Sequence, residues 1–187
     1  MVDSGVTLFG QRGYANVTLL DVAEHANAPR GSIYHHLPGG KDELAAEVAA
    51  AWRYRLERQA AQLAVRSADA QAFLRAIIDN ARRAVVSSDY TDGCPMGGIM
   101  ADIGAESDQA VRQAVGATFH GWTDAIQTGL VSKGFKPAQA RHVAMSVVAA
   151  VEGAVTVSRA TRDATVFNDV RDMALTLLAA AQRRPAA

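Results

Sequence analysis

The sequence predicts an all-α chain in which short helices come first and longer ones follow. Three observations carry this. Apolar residues recur three and four apart along most of the 187 residues, the spacing that gives a helix one apolar face. Alanine, the best helix former, is abundant. No stretch alternates apolar and polar residues long enough for a strand, and no internal repeat appears.

Each element has its own signals. In residues 3–12, Val6, Leu8 and Phe9 form a short stripe, and Gly13 ends the helix as a C-cap. Thr18 and Asp21, three apart, are a capping pair that opens a second helix with Leu19, Val22, Ala23 and Ala26 on its apolar face. Asn27 then makes the turn, because Asn tolerates the left-handed conformation better than most residues. Pro29 suits the first turn of a third helix, 30–37, which holds Ile33 and Leu37 on one face until Pro38-Gly39-Gly40 stops it.

From Lys41, Leu44, Val48, Trp52, Leu56 and Leu63 predict a long helix to about residue 66. Ser67-Ala68-Asp69 breaks it and caps the next, 70–86, which carries Phe73, Ile77, Ala81 and Val85. After a loop at 87–95 come a short glycine-containing helix at 96–105 and a long one built on Val111, Val115, Trp122, Ile126 and Leu130. Residues 138–160 are apolar on more than one face, which predicts burial on two sides. A last helix spans about 166–182.

Composition excludes several classes. Nineteen basic residues balance nineteen acidic ones, so a uniformly basic coat for nucleic acid is ruled out and any DNA contact must be local. A single cysteine, Cys94, forbids an internal disulfide and fits a reducing compartment. No uninterrupted apolar run reaches the ~20 residues that cross a bilayer, and "MVDSGVTLFGQRGY" lacks the basic flank and cleavage site of a signal peptide. A cytoplasmic protein without a membrane partner is expected.

The stretch "NAPRGSIYHHLPGGKDEL", residues 27–44, gathers Arg30, Ser32, Tyr34, His35, His36 and Lys41. Helix 18–26, the turn at 27–29 and helix 30–37 make a helix-turn-helix, whose second helix enters the major groove and offers its first residues to base edges. Arg30 can donate two hydrogen bonds to guanine or pair with a phosphate. Ser32 serves bases or phosphates, and Tyr34, His35 and His36 reach either beside the helix. Gly31 costs ~1 kcal/mol relative to Ala inside a helix, which suggests close approach of the backbone to something. Lys41 adds its charge to the N–H groups that open a helix, a phosphate-binding arrangement. A solvated surface is the plain alternative. A metal site is disfavoured, since His35 and His36 stand about 100° apart on a helix and His120 with Asp124 lacks identifiable partners. No metal or cofactor is expected.

Residues 8–44, "LFGQRGYANVTLLDVAEHANAPRGSIYHHLPGGKDEL", resemble the DNA-binding region of the TetR family of repressors. The likeness lies in Phe9, Gly13-Tyr14, Thr18, Val22-Ala23, Ala26, Gly31-Ser32-x-Tyr34-x-His36 and Lys41-x-x-Leu44. The break at 38–41 and "GCPMGG", 93–98, resemble the LmrA/YxaF-like branch, whose members answer to lipophilic small molecules. "VEGAVTVSRATRD", 151–163, adds to the likeness in the C-terminal half. By resemblance, Thr18, Arg30, Ser32, Tyr34, His36 and Lys41 carry DNA contacts. Two departures stand out: Asn27 occupies the usual turn glycine, and Arg12 is the only cation before Arg30.

The remainder has a different task. Phe73, Ile77, Met96, Met100, Phe119, Trp122, Ile126, Met145 and Val148 are candidates to line an apolar, Met-rich ligand cavity, although each taken singly reads as ordinary core. Glu152 in its apolar helix reads first as a polar interface group, and Cys94 as a packed or exposed thiol. The resemblance implies a homodimer through a four-helix interface made by 138–160 and 166–182, which agrees with the two-sided apolar helix. The expected architecture is therefore a helix-turn-helix domain of three helices at 1–45 and a larger helical ligand-binding and dimerisation domain at 46–187. The expected function is a ligand-responsive transcriptional regulator, a repressor released from a palindromic operator in double-stranded DNA by a small hydrophobic inducer. The alternative is a helical carrier or enzyme with a vestigial head; carboxylates four apart occur at Glu43/Glu47 and Asp102/Glu106, each reading first as a solvated helix face, and a catalytic site assembled by tertiary packing stays open.

Overall fold

A computed structural model of the chain describes residues 1–29, 31, 36–103 and 109–183. Among these residues every regular element is a helix: α1 (Val2–Arg12), α2 (Leu19–His25), α3 (Gly40–Arg66), α4 (Ala70–Ser87), α5 (Pro95–Asp102), α6 (Gln109–Ser132), α7 (Pro137–Thr161) and α8 (Val166–Arg183). The all-α expectation holds. Most of the expected helix at 30–37 lies outside the described residues, of which only Gly31 and His36 are helical there.

Local chemistry sets the ends. Gly13 terminates α1 at φ 77°, a conformation that favours glycine, and its N–H returns to Phe9 O. Thr18 and Asp21 form the reciprocal cap of α2. Asp69 caps α4 by accepting from Ala72 N at 2.7 Å. Pro95 and Pro137 occupy the first turns of α5 and α7, where a missing N–H costs nothing.

The residues pack into two compact units, each discontinuous in sequence. The first comprises Met1–Arg55 with Asp92–Phe119, the second Leu56–Thr91 with His120–Ala187. The chain therefore returns to its first 55 residues through α5 and the start of α6.

In the first unit, Leu8, Phe9, Val22, Leu37, Leu44, Val48, Met96, Ile99, Val111 and Val115 are buried together. Each such side chain contributes about 1.5–3 kcal/mol by leaving water. Helices approach closely through glycine. A β-carbon on Gly10 would stand 2.6 Å from Gly93 O, and one on Gly98 would collide with Phe9 O. Buried Thr118 donates to Ala49 O at 3.0 Å, fastening α6 to α3.

In the second unit α4, α7 and α8 pack on one another. Phe73, Ile77, Val143, Val147, Val151, Phe167 and Leu178 are buried there, with Trp122, Ile126 and Leu130 of α6. The Phe73 ring takes the space that a side chain on Gly129 would need. Burial of α7 is one-sided within a single chain: Val143, Ala144, Val147, Val148, Val151 and Ala154 are covered, whereas Met145 and Val157 are exposed. Contrary to the sequence expectation, α7 is long and apolar enough to cross a membrane, with a mean hydropathy of 1.4 over 18 residues, because scattered polar residues interrupt the run without lowering its average much. Within the single chain, 44% of that window is buried.

Candidate nucleic-acid interface

The first unit builds the site from one cap and one turn. Thr18 Oγ1 accepts from Asp21 N at 3.1 Å and donates to Asp21 Oδ2 at 2.6 Å, while Thr18 N donates to the same carboxylate oxygen at 2.7 Å. These bonds hold the Asp21 carboxyl below its ordinary pKa: the Thr18 hydroxyl and N–H stabilise its charge, and more distant Arg12 and Lys41 add to that. Because the Thr18 hydroxyl already donates to the Asp21 carboxylate, a phosphate bond donated by Thr18 would require that contact to open.

After α2 the chain turns at Asn27, whose φ of 51° is the left-handed conformation expected from the sequence. Asn27 N donates to Glu24 O at 3.0 Å and Ala28 N to Ala23 O at 2.9 Å, so the turn closes on the helix it ends. Arg30, Ser32, Tyr34 and His35 lie outside the described residues. Gly31 and His36 are helical and exposed, and buried Leu37 joins the first unit's core. Among the described residues nothing outside its own helix comes within 4 Å of a β-carbon placed on Gly31. Packing among those residues therefore gives no reason for glycine there.

Lys41 is held rather than extended. Its Nζ stands 4.1 Å from the centre of the Tyr14 ring and donates to Ala15 O at 3.5 Å. Tyr14 in turn donates to Asp42 and leans on Phe9, ring centres 5.5 Å apart. Partial burial lowers the Lys41 pKa, and Asp102, Asp42 and Asp21 oppose the shift. Glu43 accepts from Gly39 N at 2.7 Å at the same helix start.

Sequence reasoning did not assign roles to the residues that fix this corner. Asp102, at the end of α5, accepts from Ala15 N at 2.7 Å, and Tyr14 N donates to Gly98 O at 3.2 Å. The motif at 93–98 thus packs against α1 and the turn before α2. Its glycines were visible in the sequence as a pattern, but their partner was not.

The nine candidate ligand residues fall into both units. Met96 is core in the first, with Met100 and Phe119 packed on it. Phe73, Ile77, Trp122, Ile126 and Val148 are buried in the second, and Met145, 41% exposed, lies on the surface of α7. Two surface depressions of the second unit, one along Asn80, Arg83 and Val86 and one along Ala138, His142 and Leu177, include none of the nine. Trp122 is 4% exposed and its Nε1 has no hydrogen-bond acceptor among the described residues.

Of the carboxylates in the enzymatic alternative, Glu106 lies outside the described residues. Glu43 and Asp102 are taken up by backbone N–H groups, and Asp124 by Arg141 at 2.8 Å. Among the described residues no three His, Cys, Asp or Glu side chains converge as metal ligands.

Comparison with known proteins places this geometry. The family model of bacterial regulatory proteins of the tetR family matches residues 2–48, and that of the LmrA/YxaF-like transcriptional regulator C-terminal domain matches 70–173. An uncharacterized HTH-type transcriptional regulator of Mycobacterium tuberculosis is 32% identical over 184 residues, covering 96% of this chain and 93% of the relative. The HTH-type transcriptional regulator LmrA of Bacillus subtilis is 23% identical, over 88% of this chain and 87% of its own. In fold, the crystal structure of a TetR transcriptional regulator from Legionella pneumophila superposes with a TM-score of 0.82 at 18% identity, covering 94% of this chain and 93% of that one.

Proposed function

The chain belongs to the TetR family of bacterial regulatory proteins and is a DNA-binding transcriptional regulator, not an enzyme; from that premise we propose that it is a cytoplasmic, homodimeric repressor released from a palindromic operator by a small hydrophobic inducer. The observation that supports the DNA-reading part is the capped α2 and its left-handed Asn27 turn, the first half of the motif in which the following segment reads DNA. Arg30, Ser32, Tyr34, His35 and His36 then meet bases and phosphates. Gly31, with no described residue outside its own helix within 4 Å of where a β-carbon would stand, lets DNA approach the backbone. Lys41 contacts a phosphate from the start of α3, and Thr18 acts chiefly by capping. The functional division is residues 1–45 for DNA and 46–187 for ligand and dimer.

Support for the inducer comes from the second unit, where the buried Trp122 indole N–H has no acceptor among the described residues. An unsatisfied buried donor costs about 1–3 kcal/mol, which a ligand oxygen would offset. Phe73, Ile77, Ile126 and Val148, buried in the same unit, supply apolar walls. Dimerisation through α7 and α8 is supported by the apolar side chains that a single chain leaves exposed, Met145, Val157 and Met173. A two-fold dimer presents two reading helices to a palindrome. Induction is a population shift: a ligand that fits better when the heads are wrongly spaced lowers operator affinity, with α3, continuous from Gly40 to Arg66, as the lever.

The test is to mix the purified protein with fragmented genomic DNA of its source and sequence what is retained. Recovery of one palindrome is expected, and its release by lipophilic compounds. Retention of no sequence, or of one without two-fold symmetry, would overturn the reading.

A further inference from the structure

The chain passes between the two units three times. Two passages lie inside the continuous helices α3 and α6, and the third is the peptide Thr91–Asp92. Only this last one can change conformation without breaking a helix. Both of its sides are fastened.

On the side belonging to the second unit, the C-terminal turn of α7 grips residues 89–91. Arg162 Nη2 donates to Asp89 Oδ1 at 2.8 Å and Nη1 to Asp89 O at 3.4 Å, and the guanidinium carbon lies 5.5 Å from the centre of the Tyr90 ring. Arg159 Nη2 donates to Thr91 O at 3.0 Å. On the side belonging to the first unit, α1 grips the next two residues. Gln11 Nε2 donates to Asp92 Oδ1 at 2.8 Å, and Gly93 N donates to Gly10 O at 3.2 Å.

The gripped segment is strained. Asp89 and Tyr90 are consecutive non-glycine residues with φ of 51° and 63°, and Arg162 itself has φ 52°. Side chains of the L configuration hold left-handed conformations only where their surroundings impose them. Here the backbone bonds that end α4, Asp89 N to Val86 O at 3.0 Å and Tyr90 N to Val85 O at 2.9 Å, set the conformation, and the arginine contacts hold it from outside. If the arginine contacts open, Asp89 and Tyr90 are freer to relax, and Asp92 and Gly93, two and three peptides beyond Tyr90, are pulled from α1. Next along the chain stands α5, which fixes Tyr14 and Ala15 through Gly98 and Asp102.

We propose that residues 89–93 are a strap that communicates the state of the C-terminal end of α7 to α1 and the turn before α2, with the Arg159 and Arg162 contacts as its latch. The control it exerts on operator affinity rests on the reading of α1 and α2 as part of a DNA head; the mechanical coupling does not.

Amide hydrogen exchange of the full-length protein without DNA tests the coupling, comparing wild type, Arg162→Ala, the Arg159→Ala/Arg162→Ala pair and Asp89→Asn. Exposed ion pairs are weak, so Arg162→Ala is expected to speed exchange by roughly two- to fivefold, and the pair by more. The acceleration should reach the amides of Gly93, Tyr14 and Ala15, while Val48 in α3 and Phe73 in α4 keep wild-type rates. Raising the salt should imitate Arg162→Ala in the wild type and change that variant little. Asp89→Asn keeps the backbone contacts and serves if the arginine variants fail to fold. Acceleration confined to residues 88–91, or spread evenly over both units, would overturn the strap. A second measurement takes the recovered operator at fixed salt: altered affinity of Arg162→Ala is expected, and unchanged affinity would refute the strap as a control device. A wild type that retains no DNA would refute the regulator reading instead and leave the exchange result standing.

Discussion

Lys41 meets DNA, on the reading above, from a position already set by Tyr14 and Ala15. A lysine on a free stem loses rotamer entropy when it binds a phosphate; one laid over a ring has lost part of it beforehand. Lys41→Ala should therefore weaken operator binding, and Tyr14→Ala should weaken it by roughly two- to fivefold, the worth of an exposed cation–π contact of ~0.5–1 kcal/mol. Tyr14→Phe keeps the ring and should bind nearly as wild type, although it gives up the hydroxyl bond to Asp42. A gel shift at fixed salt separates the three, and equal loss in Tyr14→Phe and Tyr14→Ala would show that the hydroxyl, not the ring, matters. The cap of α2 adds a pH dependence. The Asp21 carboxyl is depressed in the fold, so its stabilisation is fully present above its unfolded value near 3.8 and is lost as pH falls through the lower folded value. Asp21→Asn should flatten the acid limb of thermal stability, and Thr18→Ala should cost about 1 kcal/mol at neutral pH. An acid limb identical in wild type and Asp21→Asn would remove this carboxyl from the cause.

At the scale of elements, glycine contact decides how α5 meets α1. Gly98 has the Phe9 carbonyl where a β-carbon would go, and backbone of a helix cannot step aside as a flexible side chain can. Gly98→Ala should thus destabilise the first unit by about 1–3 kcal/mol, seen as a lowered denaturant midpoint, whereas Gly116→Ala, with open space around it, should be neutral or slightly stabilising. This contrast marks what was legible in the sequence. The Thr18–Asp21 cap, the Asn27 turn, the Gly13 stop and the Asp69 cap were all readable, because each depends on residues within three or four positions. The bond from Ala15 to Asp102 joins residues 87 apart, and no local periodicity announces it. For the same reason the cut at residue 45 and the packing units differ: residues 92–119 rejoin the first unit by long-range contact. Helical spacing told that α7 has apolar faces but not which neighbour covers each, so Met145 came out exposed. The likeness to a known family supplied the site residues that physics alone left open between a reading helix and a solvated surface.

For the whole molecule, neutrality constrains how it finds DNA. Residues 2–48, the segment matching the tetR family model, contain Arg12, Arg30 and Lys41 as their only arginines and lysines. Taken over the two copies of the proposed dimer, and at ~0.9 per phosphate neutralised, these cations limit the slope of log affinity against log salt to about −5. A steeper slope would require cations from elsewhere in the chain. Such a shallow dependence implies feeble non-specific binding, so base contacts and two-headed geometry must supply the discrimination, and a monomer should hardly bind at all. Val157 is 46% exposed on α7; on the proposed interface, Val157→Arg would bury an unpaired guanidinium. Dimer affinity is then expected to drop by about a thousandfold, equal to ~4 kcal/mol, with operator binding lost in parallel while the helix content stays. Analytical ultracentrifugation beside a gel shift reads both. A variant that stays dimeric would place the interface elsewhere, and one that turns monomeric yet grips its operator as tightly would mean that a single head is sufficient, contrary to the salt argument.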